Sequence, residues 1–262
     1  MALGKSLAVV IGSFPLGESD RVVTFFSRDF GKMRGVAKAA RRPRSRFSGA
    51  LELFTVGQLV FFDTGRSELV RIDHFDVVHP LARLRNDLDR IGHASWIIEC
   101  VGRLTAERDP HVGLFTLLVR SLRSMERAPA GRVAVCFVTR CVDAVGHRPR
   151  LDGCVECGRH LPFPRARLGD GGLVCDACAN GLPGLVPISP ATIVALERLR
   201  IGSWEEALGA PLGRTEGELK TVLEAYLTRL IGQPPRATKF LREVRRLNVA
   251  MRTEIAADEA SL

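Results

Sequence analysis

Four of the seven cysteines fall in two pairs, Cys154-x2-Cys157 and Cys175-x2-Cys178, with 17 residues between the pairs. No other feature restricts the fold so tightly. Each pair must turn sharply so that two sulfurs point the same way. Two such turns facing one another close a tetrahedral four-thiolate shell. That shell has no open position, so it serves structure rather than catalysis. We expect one structural Zn2+ per chain, held by Cys154, Cys157, Cys175 and Cys178. Gly158 and Ala179 follow the two turns without bulk. Iron–sulfur ligation and a redox pair are the alternatives. Even spacing in a short segment favours zinc, and neither pair lies in a strand–helix–strand pattern. Four thiolates on a zinc dication sum to about −2, which Arg148, Arg150, Arg159, Arg165 and Arg167 can offset. Residues 150–186 hold too little apolar sequence to fold alone, so metal binding supplies their folding free energy. The remaining cysteines, Cys100, Cys136 and Cys141, lie in apolar helical sequence and are expected in the core. This cysteine usage suits a reducing, cytoplasmic compartment.

The flanking sequence splits at about residue 80. Before it the pattern is β. "SLAVVIGSF", "RVVTFFS", "KMRGVAK", "LELFTVGQLVFFD" (51–63) and "SELVRIDHFDVV" read as five strands. Five strands in so short a stretch suit a small closed barrel, and an OB-fold is the natural candidate. After His79-Pro80 the spacing becomes helical. One helix is expected from Leu81 through about Glu107, a second after Pro110, and a third over "RVAVCFVTRCVDAVG". Beyond the insertion, Ser189 reads as an N-cap with Pro190 in the first turn. Thr215 and Glu218 fit a capping box for another long helix. The expected class is α+β: an N-terminal five-stranded OB-fold barrel (1–80), an all-helical domain (81–149 and 187–250), an inserted four-cysteine zinc finger (150–186), and a flexible tail (251–262).

Charge singles out one segment. From Arg21 to Arg46 there are nine basic residues and one acid, a balance of 9 − 1 = +8, against +9 for the whole chain. Such a run points to a polyanionic partner. A membrane surface is the weaker partner, because no apolar run approaches about 18 residues. Pro43 and the Arg/Ser content place residues 38–46 in a loop without ordered structure. Lys32, Arg34, Lys38, Arg41, Arg42, Arg44 and Arg46 are the candidate phosphate contacts. Phe25, Phe26, Phe30 and Phe47 are nearby rings that could stack on bases. No catalytic motif accompanies them: the histidines form no cluster, and no nucleophile elbow or metalloprotease signature occurs. We expect a binding protein, not an enzyme, with no small-molecule substrate. Two other readings stand beside DNA binding: a zinc-ribbon RNA-binding accessory protein, and a protein scaffold whose basic loop docks an acidic partner.

"GESDRVVTFFSRDFGKMRGVAKAARRPRSRF" resembles the N-terminal signature of the RecO family of bacterial DNA recombination and repair proteins. "GRSELVRI", "LDGCVECG" and "YLTRLIGQPPRATKFL" continue the resemblance in order along nearly the whole chain. Where the family often carries a serine, Ala237-Thr238 stands here. The resemblance implies an OB-fold, a helical domain and an embedded zinc finger. It implies binding to single- and double-stranded DNA and annealing of complementary strands. It also implies joining RecR, sometimes RecF, to load RecA onto strands covered by single-strand-binding protein, in the cytoplasm at the nucleoid. It further implies a pocket on the helical domain for the acidic, apolar-tipped tail of single-strand-binding protein. The family's F-x-x-[K/R] element falls on Phe137 and Arg140, so Arg140 would meet the tail carboxylate.

Overall fold

The computed structural model describes residues 2–163 and 165–259, with side chains through residue 247. Five strands open the chain: β1 (Ala2–Leu16), β2 (Asp20–Ser27), β3 (Gly31–Ala37), β4 (Val56–Asp63) and β5 (Leu69–His79). They close into a barrel in the order β1-β2-β3-β5-β4. Every pairing is antiparallel except β3–β5, where Arg34, Gly35 and Val36 lie opposite Leu69, Val70 and Arg71. That is the OB-fold topology expected from the sequence. Closure is possible because β1 changes neighbour: Ala2–Val9 pair with β4, and Ala8–Leu16 pair with β2 across a bulge between Val10 and Gly12. Strict alternation on β3 puts Met33 and Ala37 inside and Lys32, Arg34 and Val36 outside.

The fourth strand begins later than its apolar run suggests. Residues 38–55 form a chain of turns, and only Val56 onward is strand. Phe47, Ala50 and Leu51 leave the surface and plug the barrel's end. Phe54 takes a left-handed backbone (φ 72) and bonds Val10. The basic segment is therefore ordered, contrary to expectation. Its flanking apolar residues anchor it, a long-range effect that local composition does not report.

The helical part begins with α1 (Ala82–Arg85) and α2 (Leu88–Leu104), not one continuous helix. The Asp87 carboxylate accepts from the N–H groups of Asp89 and Arg90 and starts a new helix there. Helices α3 (Val112–Ser124) and α4 (Ala130–Ala144) follow. The insertion forms a three-stranded sheet from β6 (Ala166–Leu168), β7 (Leu173–Cys175) and β8 (Val186–Ile188). Ser189 then caps α5 (Pro190–Ile201) through the N–H of Thr192, as its sequence predicts. A short α6 (Trp204–Gly209), which the sequence reading passed over, carries a reciprocal capping box between Ser203 and Glu206. The box expected at Thr215 is absent from α7 (Thr215–Ile231). Glu218 instead reaches across to accept from the Ser189 N–H (2.6 Å), the Ser189 hydroxyl (2.7 Å) and the Thr192 hydroxyl (2.6 Å). Last comes α8 (Arg236–Glu259), which runs into the segment expected as a tail (251–262), whose last three residues lie outside the described ones.

One core joins these parts. It runs through α2, α3, α4, α5 and α7 and takes in Leu151, Cys154, Phe163 and Leu173 from the insertion. It also takes in Val9 and Phe26 from the barrel wall. Against that wall Phe26 lies 6.4 Å from Phe115, centroid to centroid.

Candidate metal centre and nucleic-acid interface

The four Sγ atoms of Cys154, Cys157, Cys175 and Cys178 lie within 4.8 Å of one another. Both turns are built alike. Gly158 N–H bonds Cys154 O at 3.0 Å, and Ala179 N–H bonds Cys175 O at 3.0 Å. Gly158 sits at φ 74, a left-handed position that glycine tolerates. Zinc–sulfur bonds of about 2.3 Å in a tetrahedron place neighbouring sulfurs about 3.8 Å apart. Cys157 and Cys175 are 3.8 Å apart, too far for a disulfide. Burial pushes the Cys154 thiol up, but backbone N–H groups of Cys175, Cys157 and Glu156 outweigh it and bring it down to about 6. The same cluster pushes the Cys178 thiol up to about 12, chiefly through its hydrogen bonds with Cys157 and Cys175, so a metal would displace that proton on binding. The donor set fits zinc, which would fasten β7 and the first turn together.

The seven basic candidates separate into two groups. Lys32, on the outer face of β3, is covered by the helical domain. Its ammonium donates to Gly102 O and Thr105 O, each at 2.7 Å, and stands 3.7 Å from Glu107. Only 13% of its side chain is exposed. It bonds the carbonyls at the end of α2 rather than facing solvent. Arg34 pairs with Glu68 at 3.1 Å and lies 4.0 Å from Glu107. Lys38, Arg41, Arg42, Arg44 and Arg46 are exposed on the folded segment after β3. Asp20 fixes the start of that segment by accepting from the Ala39 N–H at 2.8 Å, a bond that, ahead of the Ser19 hydroxyl, holds its carboxyl below the usual range. The Arg41 N–H bonds Ser19 O at 2.9 Å, and its guanidinium bonds Gly17 O at 2.9 Å. Arg46 lies over the Phe47 ring at 5.0 Å and 3.8 Å from Asp73. The result is a basic ridge with a fixed backbone on the barrel's plugged end.

The aromatic expectation needs correction. Phe25, Phe26 and Phe47 are buried and cannot stack on bases. Phe30 keeps part of its surface and meets Phe61 edge-on at 5.2 Å. Phe137 is wholly buried on α4, so its ring serves the core and offers no face to a partner. Arg140 closes the end of α5, donating to Leu199 O (2.9 Å) and Gly202 O (2.7 Å). Its guanidinium lies 5.4 Å from the Trp204 ring, with Arg120 at 5.7 Å from the same ring. That Trp204 cluster was missed. Its only sequence signal was a tryptophan just after a Gly-Ser break.

A closed OB-type barrel, joined to a helical domain that carries a four-thiol insertion, defines the class of protein. The family model described as "Recombination protein O N terminal" matches residues 1–81, and "Recombination protein O C terminal" matches residues 85–239. The chain belongs to the RecO family. It is 36% identical over 244 residues to a "DNA repair protein RecO" of Anaeromyxobacter dehalogenans (strain 2CP-C), covering 92% of this chain and 96% of that one. A protein of the same name from Syntrophus aciditrophicus (strain SB) is 30% identical over 258 residues, covering 95% and 98%. Another from Nocardioides sp. (strain ATCC BAA-499 / JS614) is 35% identical over 236 residues, covering 86% and 93%.

Proposed function

We propose that this protein is a DNA-binding mediator of recombinational repair. It binds single- and double-stranded DNA, anneals complementary strands and, with RecR and at times RecF, helps load RecA onto strands coated by single-strand-binding protein. The observation that carries this reading is the ridge of Lys38, Arg41, Arg42, Arg44 and Arg46, exposed together on an anchored segment. Family membership gives it direction. Annealing needs no hydrolysis. A basic surface neutralises two polyanions, holds them close and raises their encounter rate. One structural zinc per chain would order the insertion. Arg140, beside Arg120 and Trp204, would offer charge to the acidic tail of single-strand-binding protein. The setting is the cytoplasm, at the nucleoid. Among the described residues no helix is long and apolar enough to cross a membrane.

The test is binding of fluorescent single-stranded DNA across a salt series, for the unchanged chain and for a variant with Arg41, Arg42, Arg44 and Arg46 changed to alanine. Removing four phosphate contacts at about 0.7 each flattens the log–log slope by about 2.8. An unchanged slope would move DNA off the ridge. Preference for structured RNA would favour an RNA-binding accessory role, and no DNA affinity at all would favour a scaffold.

A further inference from the structure

OB-folds commonly take oligonucleotides across the face of strands two and three. Here that face is not open. α2 and the start of α8 stand over it and leave a cleft of about 820 Å3. Its barrel wall includes Thr24 of β2 and Arg34 of β3, which are ladder partners. Its helical wall includes Arg103, Arg236 and Phe240.

We infer that this cleft is a second segment of the nucleic-acid site, holding a single strand that continues from the basic ridge, with Phe240 stacking a base and Arg236 meeting phosphate. The inference rests on the DNA-binding reading and adds a location and residues to it. Three observations carry it. First, the path is continuous. Arg34, Val36 and Lys38 follow one another on the outer side of β3 and its extension, so the ridge leads into the cleft. Second, the helical wall supplies what the barrel lacks. Phe240 is 37% exposed and lines the cleft, whereas Phe25, Phe26 and Phe47 are buried and Phe30, equally exposed, lies outside the cleft lining. Arg236 and Phe240 are one turn apart on α8 and share a face. Third, the two acids lining the cleft are already engaged: Glu107 stands 3.7 Å from the Lys32 ammonium and 4.0 Å from Arg34. Glu99 accepts from the backbone N–H groups of Arg236 (2.9 Å) and Ala237 (3.0 Å) and pairs with Arg103 at 3.0 Å. Glu99 thus caps α8 with backbone bonds and leaves the exposed Arg236 guanidinium for a ligand. A cationic side chain next to an exposed ring, at the end of a basic track, is the arrangement that binds single strands without reading sequence.

The test uses the full chain and a short oligothymidylate in which one thymidine at a time is replaced by 5-iododeoxyuridine. After irradiation and digestion, the linked peptide is identified by mass spectrometry. A crosslink on Phe240 is expected. Phe240→Ala should weaken binding about fivefold or more at fixed salt. Arg236→Gln should lower the salt slope by about 0.7. Because Arg236 caps nothing with its side chain, that variant should melt at the unchanged temperature. If the unchanged chain binds DNA and the ridge variant loses it, but neither α8 variant changes binding and no crosslink reaches α8, the cleft inference falls while the DNA reading stands. If the unchanged chain binds no oligonucleotide, both fall. If an aspartate-rich fluorescent peptide occupies the cleft and DNA does not displace it, the cleft belongs to a protein partner and the inference is overturned.

Discussion

Lys32 offers the sharpest separation of structure from binding, because it lies inside the basic run yet faces the helical domain. Replacing it by methionine keeps the stem and removes the ammonium. The carbonyls of Gly102 and Thr105 then lose 2.7 Å donors. Hydrogen bonds to charged groups contribute about 1.5–3 kcal/mol each. The two share one ammonium and are not additive, so we assign about 3 kcal/mol to the pair. With a urea m-value of about 3 kcal/mol/M, the midpoint should fall by about 1 M. The salt slope of DNA binding should not change, because no phosphate contact is lost. Urea unfolding followed by circular dichroism, with binding measured on the same preparation, tests both halves. A variant as stable as the unchanged chain, but with a flatter slope, would refute the assignment and return Lys32 to the DNA surface.

Gly31→Ala should be at least as damaging: φ there is 65, and a Cβ would sit 2.1 Å from Asp109 O, so β3 and the α2–α3 linker would be forced apart. Thermal melting reads this, and an unshifted melt would mean that the linker yields freely. Purified protein should release one zinc per chain when its thiols are blocked, measured with a colorimetric chelator, and Cys154→Ser should release far less and melt lower. Burial pushes the Glu218 carboxyl up, but hydrogen bonds from Ser189 and Thr192 outweigh it and hold it below its ordinary 4.5. Its contribution is therefore complete above about pH 4.5 and fades as pH falls through the lowered folded value. Glu218→Gln should cost stability at pH 7 and leave a shallower acid limb in denaturation across pH. An identical acid limb would remove Glu218 from the account.

Much of this protein could be read in one dimension. Spacing alone located the four thiols, because a tight turn fixes which neighbours converge. Alternation and punctuation located five strands, and the change of period at Pro80 located the helical part. The Arg/Lys run located the exposed basic ridge of the barrel. What could not be read was which members of a local pattern would be claimed by distant chain. Lys32 and Arg41 look alike in sequence, but α2 ends against one, while the other stays exposed at the surface and its guanidinium bonds the nearby Gly17 carbonyl. Phe47 and Phe240 are both aromatic residues next to a basic residue, yet the barrel's end takes the first and the cleft leaves the second exposed. Glu218 fits a capping box within its own helix, but Ser189 and Thr192 offer three donors from across the core. Local sequence sets what a residue can do. Burial and partner geometry choose among those options, and both are fixed by contacts made far along the chain.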